Sequence, residues 1–321
     1  MTRSDTTDQT VDGQRPERET NTNETGDSNL TGIVYSRLTL YSVLLILVVF
    51  YLVPLEIGLV TSLKTSTSVT ETLPFAPPIF GGFTIASWAE ALRILGRGLI
   101  NSALYAVPAT AISAFLGSIA AYGLTQANWK RRYKAVFLAL FVAGIFIPYQ
   151  AVLVPVTRFW SNYAQIEGLL SPLWALGVDR DYSSLIELMI TSVAYGIPIC
   201  TILFRSYYKN MNTEMIESAR LDGASFRRVY RRIVLPLSTP MFAVVLIYQF
   251  TQIWNDLLFA LVLVQSTRSA AAPAVLILSG LGVSQEGTNF ALQMAGALIT
   301  ALPTIAVYIL FSDEFAEGQI T

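Results

Sequence analysis

The chain alternates between long apolar runs and polar loops. A helix that crosses a bilayer needs about 20 mostly apolar residues. Six segments reach that length: 38–63, 99–124, 135–157, 184–204, 237–264 and 289–311. The loops between them are short except at 64–98, 158–183 and 205–236. This pattern predicts an all-α membrane protein with six transmembrane helices.

A polar segment precedes the first apolar run. Residues 1–30 contain only three apolar side chains, Met1, Val11 and Leu30, among many Thr, Asn, Asp, Glu and Gly residues. Such a segment cannot bury enough surface to offset the entropy of ordering it. We therefore expect residues 1–33 to form a disordered tail and residues 34–321 to form the membrane domain.

The composition supports a membrane protein and excludes some kinds of site. Of the 321 residues 53% are hydrophobic and 13% are charged, whereas soluble domains average about 25% charged residues. The chain has no histidine, and its one cysteine, Cys200, lies in an apolar run. A disulfide framework and a His/Cys metal site are both excluded. Nothing in the sequence indicates nucleic-acid binding.

The basic residues predict an orientation, because Lys and Arg are retained in cytoplasmic loops. Fifteen lie in the first tail and in the second and fourth loops: Arg3, Arg15, Arg18, Arg37, Lys130, Arg131, Arg132, Lys134, Arg205, Lys209, Arg220, Arg227, Arg228, Arg231 and Arg232. Six lie in the other loops: Lys64, Arg93, Arg97, Arg158, Arg180 and Arg268. Both termini and the 205–236 loop should therefore face the cytoplasm.

The loop before the fifth apolar run is the most structured polar stretch. Asn212 or Thr213 can cap a first short helix, with Glu214 and Glu217 near its positive end. The small apolar face of this helix consists of Met215, Ile216 and Ala219.

A second short helix is predicted after Gly223, which can adopt the left-handed conformation that ends a helix. Ser225 can cap it, and Pro236 suits the start of the fifth span. Its apolar residues recur at helical spacing: Phe226, Val229, Tyr230 and Ile233. Its four arginines fall on the opposite side, where they can meet lipid headgroups or a protein.

The spacing in this loop resembles the EAA loop of ABC-transporter permeases. The family pattern is Glu-Ala-Ala, three residues, Gly, nine residues and Ile-x-Leu-Pro. This chain has Glu217-Ser218-Ala219, then Asp222-Gly223-Ala224, then Ile233-Val234-Leu235-Pro236, with serine for the first alanine. Asn212 stands where the family often has proline.

The resemblance extends over roughly residues 38–318, where the chain is similar to the smaller permease of maltose-type carbohydrate importers. The segments that carry it are AAYGL at 120–124, IPYQAVLVPV at 147–156, FRSYYKNMNTEMIE at 204–217, IWNDLLFALVL at 253–263 and ALPTIAVYILF at 301–311. These matches favour a sugar importer over the polyamine, phosphate and peptide branches. They imply the plasma membrane of a prokaryote.

In that family the loop is a coupling helix that docks on a cytoplasmic ATPase. The resemblance assigns this role to Glu214, Met215, Ile216, Glu217, Ser218, Ala219, Asp222, Gly223 and Ala224. It implies a second permease, two ATPase subunits that use ATP and Mg, an extracellular sugar-binding protein and surrounding lipids. We expect no cofactor on this chain, whose only Lys-Ser/Thr pair, Lys64-Thr65, lacks the glycine of a phosphate-binding loop.

Polar residues within the apolar runs suggest a solute pathway. Such groups cost energy in lipid and usually face a bundle interior or a wet cavity. The candidates are Gln252, Trp254, Asn255 and Asp256. On a regular helix Gln252 and Asp256 share a face, and Trp254 could stack on a sugar ring or pack in the membrane core. The alternative is a purely structural role, in which they only hold helices together.

Two other classes of protein compete with an ABC permease. An ion-coupled secondary transporter should show internal repeats and ionisable groups at the midplane. No repeat is evident, and Glu187 and Asp256 are expected nearer the outer half. A membrane enzyme would need a catalytic constellation, which a chain without histidine or clustered acids does not provide.

Overall fold

The computed structural model describes residues 25–312, apart from Phe80, Gln165, Thr213 and Glu286. For residues 25–36 and Glu167 it describes the backbone alone. Contacts divide the chain into two compact units, residues 1–55 and 56–321. In the first unit the described part is helical, and its described side chains, from residue 37 onward, are exposed.

The described chain is mostly helical. Its α-helices are α1 (Thr25–Ser62), α2 (Ser66–Glu71), α3 (Ala86–Gln126), α4 (Arg131–Phe146), α5 (Tyr149–Phe159), α6 (Ile166–Leu169), α7 (Ser171–Ala175), α8 (Ser183–Asn210), α9 (Glu214–Leu221), α10 (Phe226–Val229), α11 (Leu235–Leu237), α12 (Thr239–Trp254), α13 (Leu257–Leu263), α14 (Ala274–Ser279) and α15 (Phe290–Leu310). Short π-helical turns cover Trp160–Ala164 and Tyr230–Val234, and a 3-10 turn covers Arg180–Tyr182. Strands β1 (Val283–Ser284) and β2 (Gly287–Thr288) pair antiparallel.

Four helical segments are long and apolar enough to cross a membrane alone: Arg37–Ser62, Ala86–Gln126, Arg180–Asn210 and Phe290–Leu310. Two helix pairs qualify only when each pair is taken together. They are Arg131–Phe146 with Tyr149–Ala164, bent by 99°, and Phe226–Leu237 with Thr239–Trp254, bent by 75°. The described residues therefore contain four to six candidate spans.

The predicted span at 135–157 is not a continuous helix. Helix α4 ends at Phe146, and Ile147 has an extended conformation with ψ of 115°. The ring of Pro148 disfavours helical dihedrals in the residue before it, which accounts for the break. A new helix starts at Tyr149.

The predicted span at 237–264 is interrupted twice. Its first helix, α12, begins only at Thr239, and a second break follows Trp254. The side chain of Asp256 accepts hydrogen bonds from the amides of Leu258 (3.0 Å) and Phe259 (3.4 Å). Asp256 thus caps a new helix, α13, which favours the break.

Two helices extend beyond the predicted runs. Helix α3 begins at Ala86, well before the predicted 99, and α1 begins at Thr25. Residues 25–33, predicted as part of a disordered tail, are helical here. Extending a helix from an existing apolar segment costs far less than nucleating one. The tail prediction for 1–24 lies outside the described residues.

The core of the second unit is built on the contact between α3 and α8. Gly117 lets the two backbones approach, since a Cβ there would lie 2.4 Å from Cβ of Cys200. Ala121 and Cys200 are fully buried beside it. Small residues at four-residue spacing favour such close contact between membrane helices.

Candidate functional site

The first helix of the 212–236 loop, α9, has the predicted cap. The Oδ1 atom of Asn212 accepts a hydrogen bond from the amide of Glu214 at 2.9 Å. Thr213, the alternative cap, lies outside the described residues. Glu214 and Glu217 fall in the first turn of α9, where acidic groups stabilise the helix.

The predicted apolar face of α9 does not form one exposed surface. Ile216 is buried and packs in a cluster with residues of α3 and α8, and Ala219 packs against the same cluster. Met215 is exposed. Two of the three residues of this face therefore fasten α9 to its own chain, because a core lies directly beneath them.

The free surface of α9 combines acidic and apolar side chains. Its exposed residues are Glu214, Met215, Glu217, Ser218, Arg220 and Leu221. Leu221 is 90% exposed, the largest exposed fraction among the large hydrophobic side chains that the structure describes. The sequence motifs do not single out Leu221. A signal was available, since Leu221 lies five residues after Ile216 and therefore about 140° around the helix from it.

The turn after α9 is a Schellman motif. Gly223 has φ of 79°, which confirms its predicted left-handed conformation. The amide of Gly223 bonds the carbonyl of Arg220 at 3.0 Å, and the amide of Ala224 bonds that of Ala219 at 2.9 Å. These are the two hydrogen bonds of the motif, and they fix the angle at which the chain leaves α9.

The second arm of the loop is more irregular than predicted. Ser225 caps α10 as expected, accepting from the amide of Arg228 at 3.4 Å. The chain then passes through the π-helical turn Tyr230–Val234 and α11. Pro236 lies in the first turn of α11, a position that suits proline, and Pro240 lies in the first turn of α12. The four predicted surface arginines are all exposed: Arg227, Arg228, Arg231 and Arg232.

A polar recess lies among the helices at some distance from this loop. It is small, ≈ 30 Å³, and Gln252 and Asp256 both line it. Tyr248 and Gln249 of α12 also line it, together with Tyr149, Ser192, Tyr195 and Phe259 from other helices. Tyr149 and Tyr195 stack with ring centroids 4.8 Å apart, and sequence reasoning found neither of them.

The other two candidate pathway residues do not reach the recess. Trp254 is only 2% exposed, and its indole NH donates to the carbonyl of Thr300 at 2.9 Å. Trp254 was predicted either to stack on a sugar ring or to pack in the membrane core, and in the structure it packs in the core. Asn255 donates to the carbonyl of Thr251 at 2.9 Å and closes the end of α12.

A larger cavity of ≈ 690 Å³ lies near the N-terminal end of α8. Trp160, Trp174, Asp181 and Glu187 are among its lining residues. Helix α8 has 28 residues and the 212–236 loop follows its other end, so cavity and loop are about 40 Å apart. Among the described residues no three acidic or cysteine side chains are grouped as metal ligands.

The comparisons with known proteins identify the family. Residues 113–312 match the model of the binding-protein-dependent transport system inner membrane component. The xylose/arabinose import permease XacI of Haloferax volcanii is 47% identical over 287 residues, 89% of this chain and 92% of that protein. The alpha-glucoside transport system permease AglG of Rhizobium meliloti is 30% identical over 243 residues, 74% of this chain and 59% of that protein.

The fold matches a solved transporter as well. The crystal structure of a bacterial ABC transporter for the import of alginate contains a similar chain, with a TM-score of 0.59 and 20% identity. The match covers 90% of this chain and 98% of that one. By sequence and by fold, the chain belongs to the family of binding-protein-dependent inner membrane transport components: it is the permease subunit of an ABC importer, a transport subunit and not an enzyme.

Proposed function

We propose that this permease subunit forms half of the membrane pathway for a sugar. A second permease supplies the other half, an extracellular binding protein delivers the sugar, and two cytoplasmic ATPase subunits consume ATP and Mg. This chain binds no cofactor of its own. The observation that supports a sugar as the solute is the similarity to a xylose/arabinose import permease over 89% of the chain.

The 212–236 loop is proposed as the contact with the ATPase. Its first helix, α9, is covered on one side and free on the other, as a docking element requires. On the free side Leu221 and Met215 offer apolar area, while Glu214 and Glu217 offer charges to basic groups of the ATPase. Gly223 and the residues on either side of it, Asp222 and Ala224, form the turn that fixes the direction of α9.

The recess at Gln252 and Asp256 is proposed as the part of the pathway that this chain contributes. Tyrosine rings present an apolar face and a hydroxyl together, which suits the mixed surface of a sugar. Tyr149, Tyr195 and Tyr248 all line the recess. Its small volume in this chain alone fits a wall that a second subunit completes.

Six spans with both termini in the cytoplasm complete the proposal. The distribution of basic residues supports this orientation. Cysteines placed at residues 75 and 131 test it, and native Cys200 is fully buried, so Cys200→Ser serves as a background check. A membrane-impermeant thiol reagent should label residue 75 in intact cells and not 131, and the reverse pattern would refute the orientation.

Reconstitution tests the function as a whole. The two permeases and the ATPase would be purified together and placed in proteoliposomes. ATP would be enclosed inside, and the binding protein would be added outside. We expect ATP-dependent uptake of radiolabelled xylose, arabinose or glucose and none of spermidine or phosphate. Uptake of only a non-sugar solute would refute the sugar assignment, and uptake driven by an ion gradient without ATPase would refute the importer.

A further inference from the structure

Three buried hydroxyl groups join the 212–236 loop to two of the long helices. The Oγ atom of Ser118, in α3, lies 2.6 Å from the hydroxyl of Tyr208, in α8. It lies 2.8 Å from the hydroxyl of Tyr230, in the π-helical turn of the loop. A serine hydroxyl donates one hydrogen bond and accepts two, so Ser118 can serve both tyrosines at once.

This hydroxyl cluster, Ser118 with Tyr208 and Tyr230, is shielded from water. The exposed fractions of the three residues are 0%, 2% and 9%. Because water cannot replace a partner in such a place, each bond that is lost leaves a buried polar group unsatisfied. The cluster therefore resists separation of the loop from α3 and α8.

Aromatic contacts beside the cluster hold the loop to α3 as well. The hydroxyl of Tyr122 donates to the backbone carbonyl of Phe226 at 3.1 Å. Its ring centroid lies 4.3 Å from that of Phe226 and 5.0 Å from that of Tyr230. Farther along, Arg220 donates to the backbone carbonyl of Gln126 at 3.1 Å.

The connection to α12 has a different character. The second arm of the loop meets α12 at a bend of 75° around Ser238, not along a continuous helix. Helices α3 and α8, in contrast, are in close backbone contact where Gly117 meets Cys200. A displacement of the loop is thus passed to α3 and α8 as one body, whereas its path to α12 runs through the bend, where the buried hydroxyl of Ser238 donates to the carbonyl of Val234.

We propose that Ser118 is a positioning residue for transport: through Tyr208 and Tyr230 it makes the loop, α3 and α8 move together when the ATPase engages α9. This rests on the proposed docking of the ATPase on the loop. Ser118 touches neither the ATPase surface nor the polar recess.

The ratio of ATP hydrolysed to sugar transported tests this role in the reconstituted complex. Ser118→Ala removes both bonds, so we expect the ratio to rise by about five-fold or more while ATPase activity stays within about two-fold of normal. Ser113→Ala is the matched control. Ser113 is in α3 and equally buried, but its hydroxyl bonds the carbonyl of Ala109 within the same helix at 2.6 Å. A ratio unchanged in Ser118→Ala would overturn the proposal.

Two milder variants keep the test available if Ser118→Ala does not assemble. Tyr230→Phe and Tyr208→Phe each keep the ring and remove one hydroxyl. We expect each to raise the ratio, and Tyr230→Phe combined with Ser118→Ala to add little, since both remove the same bond. Normal ratios in both phenylalanine variants would contradict the role.

Cross-linking gives a measurement that a merely structural role would not predict. Cysteines replacing Gln126 and Arg220 would be joined by a short flexible bis-maleimide, while native Cys200 is fully buried. If the loop and α3 move as one body, uptake survives cross-linking, and uptake lost only after cross-linking would overturn the proposal. A wild-type complex without binding-protein-stimulated ATPase or uptake would refute the proposed function instead.

Discussion

Replacing Gly223 by valine would test the ATPase-docking role of the 212–236 loop through its backbone alone. Gly223 has φ of 79° and ends α9. No heavy atom outside its immediate neighbours lies within 4 Å of an ideal Cβ at this position. A side chain there would meet no clash, so the substitution changes only the conformational preference of the turn.

The size of the effect follows from that preference. A left-handed conformation costs a residue with a side chain about 1–2 kcal/mol relative to glycine. Such a cost lowers the ratio of the native turn to its alternatives by about 5- to 30-fold. If the ATPase binds only the native turn, its apparent affinity falls by up to the same factor once alternative turns predominate.

Quantitative pull-down of the ATPase would measure this affinity, beside radiolabelled sugar uptake. Gly177→Val is the matched control, because Gly177 has φ of 88° and equally empty surroundings but lies in the loop between α7 and α8. Gly223→Asn should retain more binding than Gly223→Val, since asparagine tolerates the left-handed region. Equal binding and uptake in Gly223→Val, Gly177→Val and the wild type would refute the role of the turn.

Three further predictions concern the pathway and the packing of α3. Gln252→Ala should slow uptake without reducing assembly, whereas Asn255→Ala, outside the recess, should have the smaller effect on transport rates; equal rates would contradict the pathway. Gly117→Val should overpack the contact between α3 and α8 at a cost of about 1–3 kcal/mol and so lower the thermal unfolding midpoint in detergent. Gly123→Ala should leave the midpoint unchanged, since no heavy atom lies within 4 Å of an ideal Cβ at Gly123. The side-chain amide of Asn101 donates to the part-buried carbonyl of Ala270 at 2.8 Å and to the buried carbonyl of Ala272 at 3.0 Å. Asn101→Ala should cost about 1–3 kcal/mol for the carbonyl left buried without a partner, and an unchanged melting curve would contradict this.

The sequence by itself determined the features that depend on local chemistry. Long apolar runs predicted the long helices α8 and α15 closely, because only helices satisfy the backbone within lipid. The caps at Asn212 and Ser225 and the left-handed Gly223 followed from side chains acting on neighbouring amides or from a missing Cβ. The spacing of Glu217, Gly223 and Pro236 was enough to identify the family.

Only the tertiary structure decided which side of each element is covered. Periodicity showed that α9 has an apolar side, but not that Ile216 would be buried by the protein's own core while Leu221 stays free. Nor could it place Tyr149 and Tyr195 beside Gln252, since these residues come together only through breaks and bends between distant helices. Apolar spacing records that a surface must be buried, whereas the partner that buries it is fixed by how the whole chain packs.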